Sequence, residues 1–347
     1  MRKVFLTLLL AIGAMAAHAE VTVSPYIITA HNGTVAVPAR HMVAIPIIAN
    51  AQPDDAIAVA LTINNAVYKD ISAYVMDQTN LNLFEQGAQG QIQGVTKQKQ
   101  RGDKPIEFVA KVNSYGPYML VLDNRYATII TKHVTWEVDI KTRLPDSVVQ
   151  SLKTNLQTAY STLKKEFVFT DFNIHVRPCG MANAFSSPDI TICYELLDQL
   201  IEQRESEALS FVIVHELGHS LMNVWGLPAY NNEDMADQFA TALLLRSPNG
   251  VKSLDKAMEW FSQQNSLVQA NYMLQHGDPH SLSVQRVRNI QAYIADPGPM
   301  EARWNHVFYA HMTKSALMNV IAHHGKYDDV ALAKQALAVL DTGKSMP

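Results

Sequence analysis

The chain has 347 residues, 48% of them apolar and 17% charged, with a formal net charge of −4. That is apolar enough for a real core, which excludes a disordered chain, and long enough for two domains of the usual ~100–200 residues. The small negative charge leaves no basic footprint for nucleic acid or for an anionic membrane surface.

Arg2 and Lys3 precede an apolar run from Val4 to Ile12, and Ala17-His18-Ala19 offers a small-x-small cleavage site. Residues 1–19 therefore read as a signal peptide cleaved after Ala19. The apolar run is shorter than the roughly 20 residues that a bilayer span requires. No cysteine follows the cleavage site to carry a lipid anchor. The expectation is an exported protein, periplasmic or secreted, with no integral membrane segment in the mature chain. Its two cysteines, Cys179 and Cys193, are expected to pair in an oxidising compartment.

Residues 20–142 read as short strands separated by polar turns. The stretches HMVAIPIIAN, AIAVALTINN, ISAYVMD, IEFVAKV, YMLVLDN and HVTWEVDI are rich in β-branched and aromatic residues, and several alternate with the strand period. Asn32-Gly33 and Tyr115-Gly116-Pro117 read as turns. The Gly/Gln-rich stretch from Glu85 to Lys104 reads as an exposed loop. Together these segments predict a β-sandwich of roughly seven to nine strands.

The period then changes. Val148, Leu152, Leu156, Tyr160, Leu163 and Phe167 recur every three or four residues, a helical stripe. Helices dominate from there on, interrupted by one short extended segment, DFNIHVRPCGMANAF. The domain boundary falls between Asp139 and Asp146, which makes residues 143–347 a second domain and the whole chain α+β.

Within that second domain, FVIVHELGHSLMNVWGLP sets His215, Glu216 and His219 inside an apolar helical pattern that Gly226 and Pro228 end. Histidines four apart lie one turn apart on one helix face, where both imidazoles can hold one ion. Glu216 beside them suits a general base acting on a water that a zinc ion polarises. The acidic start of NNEDMADQFATALLL supplies the third ligand: Glu233 is the choice and Asp237 its rival. Asp237 shares a face with Glu233 and can instead orient a histidine through its free ring nitrogen. The acids of the first turn also suit the positive end of a helix dipole.

HELGH followed by Glu233-x-x-Ala236-Asp237 resembles the gluzincin zinc metallopeptidases, especially their membrane and periplasmic branch. DPHSLSVQR is similar to that branch's His-Pro-x-x-x-x-Arg segment at His280 and Arg286, with Ser281 where the branch has proline. CGMANAFSSPDITICYELL, together with HELGH and the Ala-Asp-Gln helix, is similar to a family of poorly characterised exported bacterial metallopeptidases. The resemblance spans about residues 175 to 300 and says nothing of the sandwich. It implies a mainly helical gluzincin-like domain with a small sheet and a peptide or protein substrate. It further implies that His280 donates to the oxyanion, with Arg286 placing it. Asn183-Ala184-Phe185 is similar to the substrate-binding edge strand of thermolysin-like enzymes, which pairs with an extended peptide.

Two other classes compete with a zinc metalloendopeptidase. An envelope or extracellular binding or adhesion module could carry a vestigial zinc site, but such a site has no need of Glu216. A structural zinc site would fill all four positions with protein ligands.

Overall fold

A computed structural model describes residues 20–88, 92–228, 232–263, 282–323 and 327–342. Residues 1–19, expected above to be a signal peptide, lie outside them, and so does His280. The chain is α+β and divides into two compact units, Pro25–Asp146 and a second made of Ser147 onward plus the segment before Pro25.

The first strand, β1 (Val21–Val23), does not join the strands that follow it. It pairs in parallel with Ile174–Val176 of the second unit, so the sandwich begins after it. Within the first unit the strands are β2 (Tyr26–Val37), β3 (Met42–Ala51), β4 (Ala56–Ile63), β5 (Asp70–Asp77), β6 (Gln93–Lys99), β7 (Ile106–Lys111), β8 (Gly116–Asp123) and β9 (Lys132–Arg143). They form two antiparallel sheets, ordered β2-β9-β4-β7 and β3-β8-β5-β6. Alternate residues of β4, Ile57, Val59, Leu61 and Ile63, share one core with Ile71 and Val75 of β5, Leu120 and Leu122 of β8, and Val138 and Ile140 of β9. This is the period-2 pattern of two sheets packed face to face. Each such burial stabilises by about 1.5–3 kcal/mol.

The structure departs from the sequence reading at three places in this unit. Asn32-Gly33 is no turn: both residues lie inside β2, opposite Glu137 and Trp136 of β9. Gly33 is there for space, since a Cβ would stand 2.8 Å from the Trp136 ring. The Gly/Gln-rich stretch contains β6, the edge strand beside β5. Its polar, mostly exposed residues suit an edge facing water. A short helix, α1 (Gln78–Glu85), opens on Asp77, whose carboxylate accepts from the Asn80 N–H at 2.7 Å. Leu81 of α1 packs with Tyr74, Met76 and Val121. That covers the outer face of β5 and β8 and explains why both strands are buried on two sides.

The second unit carries a small sheet ordered β1-β10-β12-β11, with β10 (Ile174–Arg177), β11 (Ala184–Ser186) and β12 (Ile190–Cys193). The one extended segment read from the sequence is thus two strands, and β12 follows as a third. Around the sheet lie α2 (Asp146–Glu166), α3 (Tyr194–Glu202), α4 (Ala208–Val224), α5 (Glu233–Leu244), α6 (Gly250–Ser262) and helices Ser283–Ala295, Gly298–His311, Lys314–Ala322 and Tyr327–Thr342. The core joins Leu196 and Leu200 of α3, Phe211 of α4, Ala240 and Leu244 of α5, Leu254 and Phe261 of α6, and Ile290. No helix among the described residues is long and apolar enough to cross a membrane.

Candidate metal centre and adjoining cleft

Helix α4 is buried over most of its circumference, and it carries three polar groups into that burial. His215 and Glu216 are 2% and 4% exposed. Gly226, with φ +70°, follows the helix end as a C-terminal stop. Helix α5 then opens on Asn232, whose side chain accepts from the Met235 N–H at 3.1 Å. That cap starts the helix at Glu233 and puts its carboxylate in the first turn. The two helices approach closely at Gly218, where a Cβ would stand 3.0 Å from the Phe239 ring. A missing side chain on one helix therefore lets the other bring its acid to the histidines.

The ligand atoms of His215, His219 and Glu233 all lie within 4.8 Å of one another. Glu233 Oε2 stands 3.1 Å from His215 Nε2 and 3.4 Å from His219 Nε2. Bonds of about 2.0–2.2 Å at tetrahedral angles put neighbouring ligand atoms about 3.3–3.6 Å apart. Two imidazole nitrogens and a carboxylate oxygen at this spacing fit one divalent ion such as zinc.

Asp237 is not part of that cluster. Its Oδ1 takes the opposite ring nitrogen of His215, Nδ1, at 2.7 Å. Arg286 grips the same carboxylate with both arms, Nε to Oδ2 at 2.8 Å and Nη2 to Oδ1 at 2.6 Å. Its guanidinium also lies 4.2 Å from the centre of the Phe261 ring. The chain Arg286–Asp237–His215 fixes which imidazole nitrogen faces Glu233. Burial would push Asp237 up, but Arg286, with His215, outweighs it and holds the carboxyl at about 2. Burial likewise disfavours a charged His215, yet its bonds with Asp237 and Glu233 prevail and raise it to about 9.

A cleft of about 540 Å3 opens beside the cluster. Glu216, His219 and Glu233 line one side, and Asn183, Ala184 and Phe185 line another. Among the described residues β11 ends its sheet, so one of its backbone edges has no strand partner among them. Cys179 and Cys193 form a disulfide that closes the loop carrying this strand. The Glu195 carboxylate accepts from the Cys179 and Gly180 N–H groups at 3.0 and 2.7 Å, and Ser220 Oγ of α4 donates to the Pro188 carbonyl at 2.6 Å. The strand is thus tied to α3 and α4.

Three neighbours escaped the sequence reading. Asn223 lines the cleft and stands four residues after His219, a spacing that placed it on the same face. Trp260 and Phe261 of α6 flank the site, and no spacing from the histidine motif pointed to them.

No curated protein matches the chain. Three solved structures show only distant likeness. One, described as the crystal structure of FLHE, is 11% identical, with a TM-score of 0.24 over 35% of this chain and 100% of that one. A second is a protein of Bacillus endospore appendages that form disulfide-linked pili, 12% identical, with a TM-score of 0.22 over 39% and 100%. The third is the Aeromonas hydrophila PliG, a periplasmic inhibitor of g-type lysozyme, 12% identical, with a TM-score of 0.19 over 35% and 98%. Residues 141–302, a span that includes every candidate ligand and both cysteines, match the family model DUF4344, described as "Putative metallopeptidase", so this part of the chain is similar to a metallopeptidase family.

Proposed function

We propose that the protein is an exported, gluzincin-like zinc metalloendopeptidase. The observation that carries this reading is the spacing of His215 Nε2, His219 Nε2 and Glu233 Oε2, close to the edges of a tetrahedral site. Zinc held there supplies Lewis acidity to a water and to the scissile carbonyl. The chain's own groups do the rest. Glu216, beside the ligands and lining the cleft, takes the proton of the attacking water and returns it to the leaving amine. Asp237 holds His215 in the tautomer that presents Nε2, and Arg286 holds Asp237. Asn183, Ala184 and Phe185 offer the edge along which an extended peptide lies. His280 remains the proposed oxyanion donor on the resemblance alone. Metal analysis of the wild type and of His215→Ala, with peptide cleavage before and after chelation, tests the reading.

A further inference from the structure

One end of the sandwich is built from the loops 38–41, 64–69, 100–105 and 124–131, which join β2 to β3, β4 to β5, β6 to β7 and β8 to β9. Hydrogen bonds tie them into one surface. Asn124 is fully buried and gathers the carbonyls of Val37, Pro38 and Ile130 around its amide nitrogen. Asn65 donates to the Thr131 carbonyl, and the Gln100 N–H donates to the Lys69 carbonyl. The buried Lys132 ammonium donates to Asp70 and to the Tyr68 carbonyl.

This end is basic. Arg40, Lys97, Lys99, Arg101 and Lys104 are exposed, Lys69 is half-buried, and no acid pairs with any of the six among the described residues. The acids nearby are mostly taken. Asp70 pairs with Lys132, and Asp123 and Glu85 act on Arg125, which leaves Asp103. Two loops at the opposite end, residues 52–55 and 112–115, hold Asp54 and Asp55 and no lysine or arginine. The net charge of −4 averages over the whole chain and conceals this asymmetry.

Apolar side chains stand out among these cations. Val67, Tyr68 and Ile129 are 64%, 65% and 82% exposed. Tyr68 is held at φ +57°, a conformation that bulky residues rarely adopt, with its carbonyl fixed by Lys132. Cations alone would suit any polyanion, but exposed aliphatic tips gain nothing from a phosphate backbone. An anionic bilayer uses both, since its phosphates match the cations and its acyl boundary takes up the tips. Tyrosine suits the headgroup level between them.

We infer that this end of the sandwich docks on a bilayer surface rich in anionic lipid. Val67, Tyr68 and Ile129 enter the headgroup region, and the six cations lie over the phosphates. The contact is peripheral, and it stands apart from the metallopeptidase reading because binding needs no cleavage.

Vesicle sedimentation tests it. The protein without residues 1–19, whose apolar run would itself enter a bilayer, is mixed with vesicles of phosphatidylcholine or of an equal mixture with phosphatidylglycerol. It should bind the mixed vesicles far more tightly, and added salt should weaken that binding. At about fivefold per cation, the Lys99→Gln/Arg101→Gln/Lys104→Gln variant should lose about 100-fold in affinity. Val67→Ser/Ile129→Ser should lose about tenfold on the same vesicles. All these positions are exposed, so both variants should keep the wild-type melting temperature. Equal binding to the two vesicle types, binding to neither, or an affinity unchanged in either variant would overturn the inference. A DNA duplex bound as tightly as the mixed vesicles, by the wild type and by Val67→Ser/Ile129→Ser alike, would overturn it in favour of a nucleic-acid surface.

Discussion

Asp237 holds His215 by Nδ1 at 2.7 Å, and this leaves Nε2 facing Glu233 at 3.1 Å on the other side of the ring. On the proposed reading Asp237 and Glu233 of α5 therefore have different work, one orienting and one ligating. Asp237→Asn should weaken zinc binding about 10–100-fold without abolishing it. His215→Ala and Glu233→Ala should abolish it. Competition with a chromogenic chelator measures all three. Full zinc in Glu233→Ala with none in Asp237→Ala would reverse the assignment.

Zinc uptake should depend on pH in a defined direction. His215 is raised to about 9, so at neutral pH it carries a proton that a metal must displace. Apparent affinity should therefore rise by about tenfold per pH unit up to about 9 and then level off. Chelator competition at pH 7, 8 and 9 reads the slope. A flat profile would contradict a proton held on the ligand.

The acid side follows from Asp237, held at about 2 against an ordinary value near 3.9. A depressed carboxyl contributes stability above its unfolded value and loses it as pH falls through the folded one. For this buried acid the contribution is on the order of 2 kcal/mol. Chelator-treated wild type should exceed Asp237→Asn by at least that much at pH 7, with the gap narrowing between pH 4 and pH 2. Urea titrations at the three pH values check it.

Gly218 sets how close α5 comes to α4. Alanine there gains about 1 kcal/mol of helix propensity and loses a similar amount against Phe239, so Gly218→Ala should be near neutral. Gly218→Val forces more volume into the contact and should cost about 1–3 kcal/mol. Because Glu233 rides on α5, the valine variant should also bind zinc more weakly. Thermal unfolding and chelator competition on the same samples check both effects.

What was legible in the sequence followed local periodicity. β4 alternates and β9 nearly does, and both were readable as strands because one face of each meets the core. The histidine pair was legible because four residues make one helical turn, and Glu233 because a helix start follows within reach. β6 was hidden because an edge strand facing water has no apolar face to show. Gly33 was read as a turn residue because an Asn-Gly pair carries no trace of the Trp136 ring that needs the space. Trp260 stands 44 residues from Glu216 and meets it only through tertiary packing, so no local pattern announced it.

The disulfide should matter to the cleft more than to the fold as a whole. Closing the loop between Cys179 and Cys193 stabilises by about 3 kcal/mol on the chain-entropy account. The Cys179→Ser/Cys193→Ser double variant should lose about that much in urea titration. It should also raise KM more than it lowers kcat, because β11 is loosened while the ligands on α4 and α5 stay in place.

The account rests above all on Glu216, and one measurement reaches it directly. Wild type, chelated wild type and Glu216→Gln are incubated with a broad peptide library, with zinc content and melting temperature recorded for the wild type and the variant. Glutamine keeps the shape of glutamate but cannot accept a proton from water at neutral pH. The account predicts cleavage by the wild type, its loss on chelation and its return with added zinc. It further predicts that Glu216→Gln keeps its zinc and its fold while losing at least about 10²–10⁴-fold in rate. Equal cleavage by the wild type and Glu216→Gln would contradict it.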